Sequence, residues 1–448
     1  LVILDTNKLP EVIDLFSGCG GLSLGFNKSG FHIGAGLELM PSAVETASYN
    51  LHWRYGEDLA HLCGDITQIE PSVFMENVGS NGCIVIGGPP CQAYSLVGRA
   101  KLRSLGEDRK NTNDSRGYLF QDFLRFAYGL DAKAVIMENV PESVDYGGIN
   151  VPERVARSLE KHGYTAYWTI LNAADYGVPQ VRERVILIAI RDDLGKSISL
   201  PIPTHKNPDG TKTQNQLRFK SLSENKHFVI PPVSDNDLPD WVTVEDALSD
   251  LPELFPTWQR KYKLEKITTP MQYRTSSQNE FQKTMRNWFG YENPSVTGNC
   301  FRKTLRDYPI FEKMEQGDDY IAASKIADEL FAKACRIRGI TVENKAEYEK
   351  LKKEIVPPYA RDKFISKWQK LRLDKPSYTV TAHLSVDTYS HIHPIEPRGL
   401  SVREAARIQS FPDGFLLQCS MSDAFKQIGN AVPPLLAKAI ADEVIKAF

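Results

Sequence analysis

The 448-residue chain has no apolar run approaching the roughly 20 residues that a membrane span needs. Its longest such stretches, CIVIGG near residue 83 and VILIAI at 185–190, are far shorter, so no transmembrane helix is expected. It has no CxxC pair, and its seven cysteines are odd in number without a repeated spacing. That argues against a disulfide framework, fits a reducing compartment and speaks against zinc. Net charge is nearly absent: 54 Lys plus Arg stand against 56 Asp plus Glu, a formal −2, so a polyanionic partner would have to be held by a local patch. There is no long low-complexity tract, and with 42% hydrophobic and 25% charged residues the chain is too apolar for disorder. The opening LVILDTNKLP has no basic stretch before its short apolar run, so a secretory leader is not expected; it also lacks an initiator Met, which leaves room for residues upstream.

What the chain does have is alternation. From Glu11 to about Arg191, short β-branched runs alternate with helical stretches, the pattern of a doubly wound, mostly parallel α/β sheet. Strands are predicted near 11–16, 32–38, 83–87, 133–138, 166–171 and 184–190, and helices over Pro41–Leu51, Tyr118–Leu130 and Pro152–His162. The last two strands are too close for a crossover helix and should form an antiparallel hairpin at one edge. After Arg191 the texture changes to PIPTHKNPDGTKTQNQ, a turn-rich boundary. Residues 312–354 read as two charged scaffold helices. Pro433–Phe448 carries Leu435, Leu436, Ala439, Ile440, Val444 and Ile445 on one helical face, which must pack on something, naturally the first domain.

Residues 258–306 hold ten basic against three acidic residues, interleaved with aromatics such as Trp258, Tyr273, Phe281, Trp288 and Phe301. This is a candidate nucleic-acid face, or else a solvated stretch with a small core of its own.

The first strand runs into DLFSGCGGLSLGF, whose glycines suit a βα turn that approaches a ligand closely. Glu38 ends the second strand twenty residues after Gly18, the position for gripping a ribose; together they suggest an adenosine-containing cofactor. Asp65 could accept from an adenine amino group or simply be a turn or N-cap residue. The fourth strand ends in GGPPCQAYS, so Cys91 follows two prolines at the carboxyl edge of the sheet, where open α/β proteins bind ligands. Cys91 is therefore a candidate nucleophile, whereas Cys83 and Cys63 read as buried and inert. Glu138, ending AVIMENV on the neighbouring strand, would converge with that thiol as a proton donor, unless it is a solvated loop residue.

DLFSGCGGLSLGF, Glu38, GDI, GGPPCQAYS, DSRGYLF, MENV, QVRER, RGLSVREAARIQSFPDGF and KQIGNAVPP follow one another in an order that resembles the cytosine carbon-5 DNA methyltransferase family. The blocks cover residues 11–192 and about 376–448; residues 193 to about 375 match nothing, as expected of that family's variable target-recognition domain. The resemblance implies a catalytic and cofactor domain over 1–192, a target-recognition domain with linker over 193–395, and a segment 396–448 returning to the first domain. It implies Cys91 as nucleophile on cytosine carbon-6, Glu138 at ring nitrogen 3, Arg184 at the carbonyl oxygen and Arg182 supporting the site, although both arginines could be surface residues of a hairpin. S-adenosyl-L-methionine is the implied cofactor, held by Phe16, Gly18, Gly20, Leu22, Glu38, Asp65, Ile66, Pro89, Leu119, Asn430 and Val432. The implied substrate is double-stranded DNA with its target base flipped out, the loop Gln92–Ser115 closing over it. A bacterial, cytoplasmic setting beside a restriction endonuclease is also implied; a metal is not, His391 and His393 reading as structural or DNA-proximal.

Three rivals remain at this level. A tRNA cytosine-5 methyltransferase shares the scaffold, but its recognition region is smaller than 193–375. A non-catalytic binding relative would have been free to lose Cys91, Glu138, Arg182 and Arg184. A nicotinamide-dependent oxidoreductase would use Gly18 to Glu38 but leaves the PPC and ENV blocks unexplained.

Overall fold

Seven strands form one sheet in the order β3-β2-β1-β4-β5-β7-β6. They are β1 Glu11–Leu15, β2 Ile33–Glu38, β3 Leu62–Cys63, β4 Cys83–Gly87, β5 Ala134–Asn139, β6 Tyr164–Asn172 and β7 Glu183–Arg191. β1 to β5 run parallel, while β7 is antiparallel to both β5 and β6. The β6–β7 pair thus takes the sheet edge as its short connection requires. This is a computed structural model, and it describes residues 9–90, 118–254, 266–359, 361 and 367–448.

Among the described residues, the α-helices of seven residues or more are α1 Gly21–Lys28, α2 Pro41–Leu51, α3 Phe120–Gly129, α4 Val151–Lys161, α5 Glu280–Asn287, α6 Tyr320–Arg338, α7 Lys345–Ile355, α8 Val402–Ile408, α9 Met421–Asn430 and α10 Pro434–Val444. Proline opens α2 at its first position and Asn150 caps α4 by accepting from Glu153 N, both ordinary ways to satisfy a helix start. The pleat sends alternate strand residues to opposite faces. Ile13, Val85, Val135 and Leu187 join α3 and α4 in one apolar cluster, whereas Val12, Ile84, Ile86 and Ile136, equally buried, face the other layer.

In that second layer α10 packs on α1. Leu436, Ile440 and Val444 are buried, each contributing roughly 1.5–3 kcal/mol. The two helices meet at Gly25, where an added Cβ would lie 2.5 Å from Lys438 N and would overlap Ala437. Ser29 Oγ donates to Asp442 Oδ1 at 2.7 Å beside this contact.

The chain divides into two compact units, 1–241 with 431–448, and 242–430. The breaks expected after 192 and 395 therefore fall later. Residues 193–241, poor in regular structure, are tied to the sheet unit: Tyr176 donates to Pro201 O at 3.0 Å, Trp241 Nε1 to Asp175 Oδ1 at 2.8 Å, and Val229 N to Trp168 O at 2.9 Å. Residues 396–430 belong to the second unit because their arginines are built into its interior. Arg398 makes a bidentate pair with Glu404 at 2.7 and 2.8 Å, and Arg407 joins Asp413 and Asp250. Arg403 donates to the carbonyls of Thr297, Pro412 and Phe415. All three guanidiniums are buried, and so are their carboxylates.

The second unit also holds a two-strand ribbon, β8 Met271–Gln272 with β9 Ser295–Val296, and an aromatic core in which Trp368 meets Phe311 and Tyr389 at 5.0 Å. The charged helices expected over 312–354 are α6 and α7.

Candidate active site

The ends of β1, β2 and β4 form one side of the candidate site. Strand β1 leaves the sheet through Phe16, which takes a left-handed φ of 59°, followed by Gly18 and Gly20 at 54° and 88°. Gly20 is the N-cap of α1, and Leu22, the second residue of that helix, is buried. Gly18 N donates to Glu38 Oε2 at 2.9 Å and Met40 N to Oε1 at 2.8 Å. The carboxylate is thereby oriented by two amides, and each oxygen keeps a lone pair for a further donor such as a ribose hydroxyl. Cys63 stands opposite Glu38 in the β2–β3 register. It is exposed, contrary to the expectation of a buried thiol, because β3 is only two residues long and lies at the sheet edge.

Asp65 is the N-cap of a short 3-10 turn and accepts from Thr67 N and Thr67 Oγ1 at 3.0 and 2.8 Å through Oδ1. Its capping role is thus real, and Oδ2 takes no hydrogen bond among the described residues. Ile66 beside it is buried. Pro89 is buried and Leu119 half-buried ahead of α3. Val432 is buried in the first unit, while Asn430 is exposed at the end of α9 in the second. Beneath the turn, Asp14 is buried and accepts from Ser23 Oγ at 2.6 Å. Burial, reinforced by the nearby Glu38 charge, raises its pKa to about 7.

The other side of the candidate site lies at the tips of β4, β5 and β7. Glu138 and Arg184 are brought together as an ion pair, with Arg184 Nε 2.8 Å from Glu138 Oε1 and both side chains about nine-tenths buried (11% and 12% exposed). Arg184 also donates from Nη1 to Glu183 O at 2.7 Å, and its Nη2 has no partner among the described residues. Glu138 Oε2 lies against Gly88, where an added Cβ would stand 2.9 Å away. The second glycine of GGPP is therefore what lets the carboxylate sit beside the segment that leads to Cys91. Cys91 itself and the loop Gln92–Ser115 lie outside the described residues.

Arg182 is buried and donates from Nη2 to Ala431 O at 3.0 Å, fastening the returning C-terminal segment. Asn139, which the sequence reading passed over, is buried and donates from Nδ2 to Pro89 O at 3.3 Å while its Oδ1 accepts from Val140 N at 2.9 Å. It ties β5 to the proline pair, and its place directly after Glu138 in MENV was the available signal.

Within the basic segment, only part is surface. Arg286 is buried against Asp250 at 2.6 Å and lies 3.6 Å over the Tyr273 ring, and Phe281, Trp288 and Phe301 are core. Lys266, Arg274, Lys283 and Lys303 are exposed, while residues 258–265 lie outside the described residues. His391 and His393 are buried and structural: His391 meets Ser390 and Tyr378 O, and His393 Nδ1 accepts from Glu396 N at 2.8 Å. Burial lowers both to about 4. A carboxylate stands near, Glu404 at 3.7 Å from His393 Nε2, but it is already paired with Arg398.

A family model described as C-5 cytosine-specific DNA methylase matches residues 11–446. The chain belongs to that family. It is 55% identical over 443 residues to the product named M.OihORF3336P in Oceanobacillus iheyensis, covering 98% of this chain and 96% of that one. It is 31% identical over 468 residues to the type II methyltransferase M.AgeI of Thalassovita gelatinovora, covering 97% and 99%. A methyltransferase encoded within an Escherichia coli prophage has a similar structure, with TM-score 0.64 at 22% identity over 97% of this chain and 98% of that one, a likeness of fold. The chain is accordingly an enzyme, a DNA cytosine-5 methyltransferase on an α/β sheet.

Proposed function

We propose that the enzyme methylates a flipped-out cytosine in a specific duplex sequence, with Cys91 as nucleophile and S-adenosyl-L-methionine as donor, as the modification half of a restriction-modification pair in a bacterial cytoplasm. The observation that carries the reading is the Glu138–Arg184 pair at the tips of β5 and β7. It puts a carboxyl and a guanidinium beside the segment that leads to Cys91, and cytosine offers a matching ring nitrogen and carbonyl oxygen.

The Cys91 thiolate adds to carbon-6, and the ring electrons move toward carbon-5 as Glu138 Oε2 supplies the proton or hydrogen bond at nitrogen 3. Arg184 holds Glu138 through Nε and offers Nη2 to the carbonyl oxygen. Bound S-adenosylmethionine supplies the electrophilic methyl group that carbon-5 takes up. Loss of the carbon-5 proton to a base then restores the double bond and expels the Cys91 thiolate, and any proton taken up at nitrogen 3 returns to Glu138, leaving 5-methylcytosine. Asn139 holds the proline pair ahead of Cys91, and Arg182 holds the C-terminal return.

The cofactor's donors fit the residues present: two left-handed glycines at the turn, the oriented Glu38 carboxylate, and Asp65 Oδ2 open to an amino group. Phe16, Leu22, Ile66, Pro89, Leu119 and Val432 would complete the pocket. The second unit, with its exposed lysines, would read the DNA.

The test is a duplex carrying 5-fluorocytosine at the target: fluorine cannot leave as a proton does, so the Cys91 adduct should persist through denaturing electrophoresis. Absence of any adduct, with methylation of ordinary DNA intact, would remove Cys91 from the mechanism.

A further inference from the structure

A buried imidazole with no part in the chemistry lies under the cofactor turn. His61 is 3% exposed, and its Nδ1 stands 2.9 Å from Ser17 Oγ, the residue between Phe16 and Gly18. His61 N donates to Ser48 Oγ on α2 at 2.9 Å. The ring lies against β2 at Gly36, where an added Cβ would be 2.6 Å from His61 Cγ and nearer still to Nδ1. Any side chain at 36 would push the ring out. Ser17 N, in turn, donates to Leu37 O at 3.1 Å. His61 therefore joins the turn after β1 and the strand that ends in Glu38 through its ring, and helix α2 through its backbone N–H, just ahead of the β3 segment that leads to Asp65.

We propose that His61 is the positioning residue of the cofactor turn, fixing Ser17 and through it the Gly18 amide that orients Glu38. The proposal rests on the S-adenosylmethionine reading of this edge. Burial takes the His61 pKa down to about 3, so the ring is neutral at any pH at which the enzyme works. Its Nε2 has no partner among the described residues. A hydrogen on Nε2 would be an orphaned buried N–H, the costlier of the two arrangements, so the hydrogen resides on Nδ1 and is donated to Ser17 Oγ. The neighbouring His52 ring, 5.6 Å away between centroids, faces outward to Glu57 through Nδ1 and does not compete for Ser17. The requirement is for a neutral N–H donor at this spot, which asparagine can also present and leucine cannot.

The experiment is calorimetric binding of S-adenosylmethionine to the full chain and its variants, with thermal melting and the KM values for cofactor and DNA measured in parallel. His61→Leu and Ser17→Ala should each weaken cofactor binding about tenfold, the double variant no more than either single, as for two ends of one hydrogen bond. His61→Asn should recover binding to within about threefold of the parent. The cofactor KM should rise while the KM for DNA holds. Gly36→Ala, which leaves both side chains in place but displaces the ring, should copy His61→Leu. Parent-like binding by a folded His61→Leu or Ser17→Ala variant, or additive losses in the double variant, would overturn the positioning role alone. No binding by the parent would overturn the cofactor reading and the proposal with it.

Discussion

Arg184 Nε sits 2.8 Å from Glu138 Oε1, across the antiparallel pairing in which Glu138 faces Ile186 and Asn139 faces Val185. The parallel strand β5 supplies the acid, and only an antiparallel β7 brings an arginine from the opposite chain direction to the same tip. Glu138→Gln should lower kcat by on the order of 10²–10⁴ with DNA binding retained, since it removes a proton donor and keeps the shape. Arg184→Met should lower kcat and disturb Glu138 as well, so the double variant should be little worse than either single. Methyl-transfer rates on a saturating duplex check both.

Gly25 is where α1 admits α10. Gly25→Val should destabilise the first unit by about 1–3 kcal/mol or more, because the added side chain meets backbone at Lys438 and cannot be relieved by a rotamer change. Urea unfolding is the measurement, and Gly30→Val, beside Ile445 with room to spare, is not a matched control because its φ of 107° strains any side chain.

Asp14 gives a pH dependence with a definite sign. Its pKa is about 7 in the folded chain against 3.8 for the free side chain, so the folded state binds the extra proton between those values. Stability from this group is full below about pH 4 and is lost as pH rises through 7. Asp14→Asn, which can still accept from Ser23, should exceed the parent's stability at both pH 5 and pH 8, by a margin that widens by on the order of 2–3 kcal/mol between them. Melting curves at the two pH values decide it.

Arg407 is paired with Asp250 and Asp413, all three fully buried. Arg407→Met should cost about 3–5 kcal/mol because it strands two buried carboxylates. Denaturant unfolding of the full chain should show that loss.

The sheet was legible because β-branched runs and helical spacing alternate from Glu11 to Arg191, and β4 runs over the predicted 83–87. Glu138 was legible because strand tips in an open α/β sheet face the ligand edge. The three arginines of RGLSVREAARIQSF were not, since charge in a helix normally means solvent, and only the folded chain reveals the carboxylates and carbonyls that accept from them. The boundary after 241 was hidden for a similar reason. The turn-rich stretch from 193 has few elements of its own, and what joins it to the sheet is scattered hydrogen bonds such as Tyr176 to Pro201 O. His61 carried no signal at all, because a histidine before a two-residue strand fits no pattern until Gly36 and Ser17 are seen against it.

The most direct test of the account is transfer of labelled methyl from S-adenosylmethionine to mixed-sequence duplex DNA and, in parallel, to tRNA, by the parent and by Cys91→Ala, followed by base-resolution mapping. The account predicts label on carbon-5 of cytosine in DNA at one short recurring sequence, and none from Cys91→Ala even though that variant still binds the duplex. Label in tRNA in preference to DNA, or residual turnover by Cys91→Ala, would contradict it.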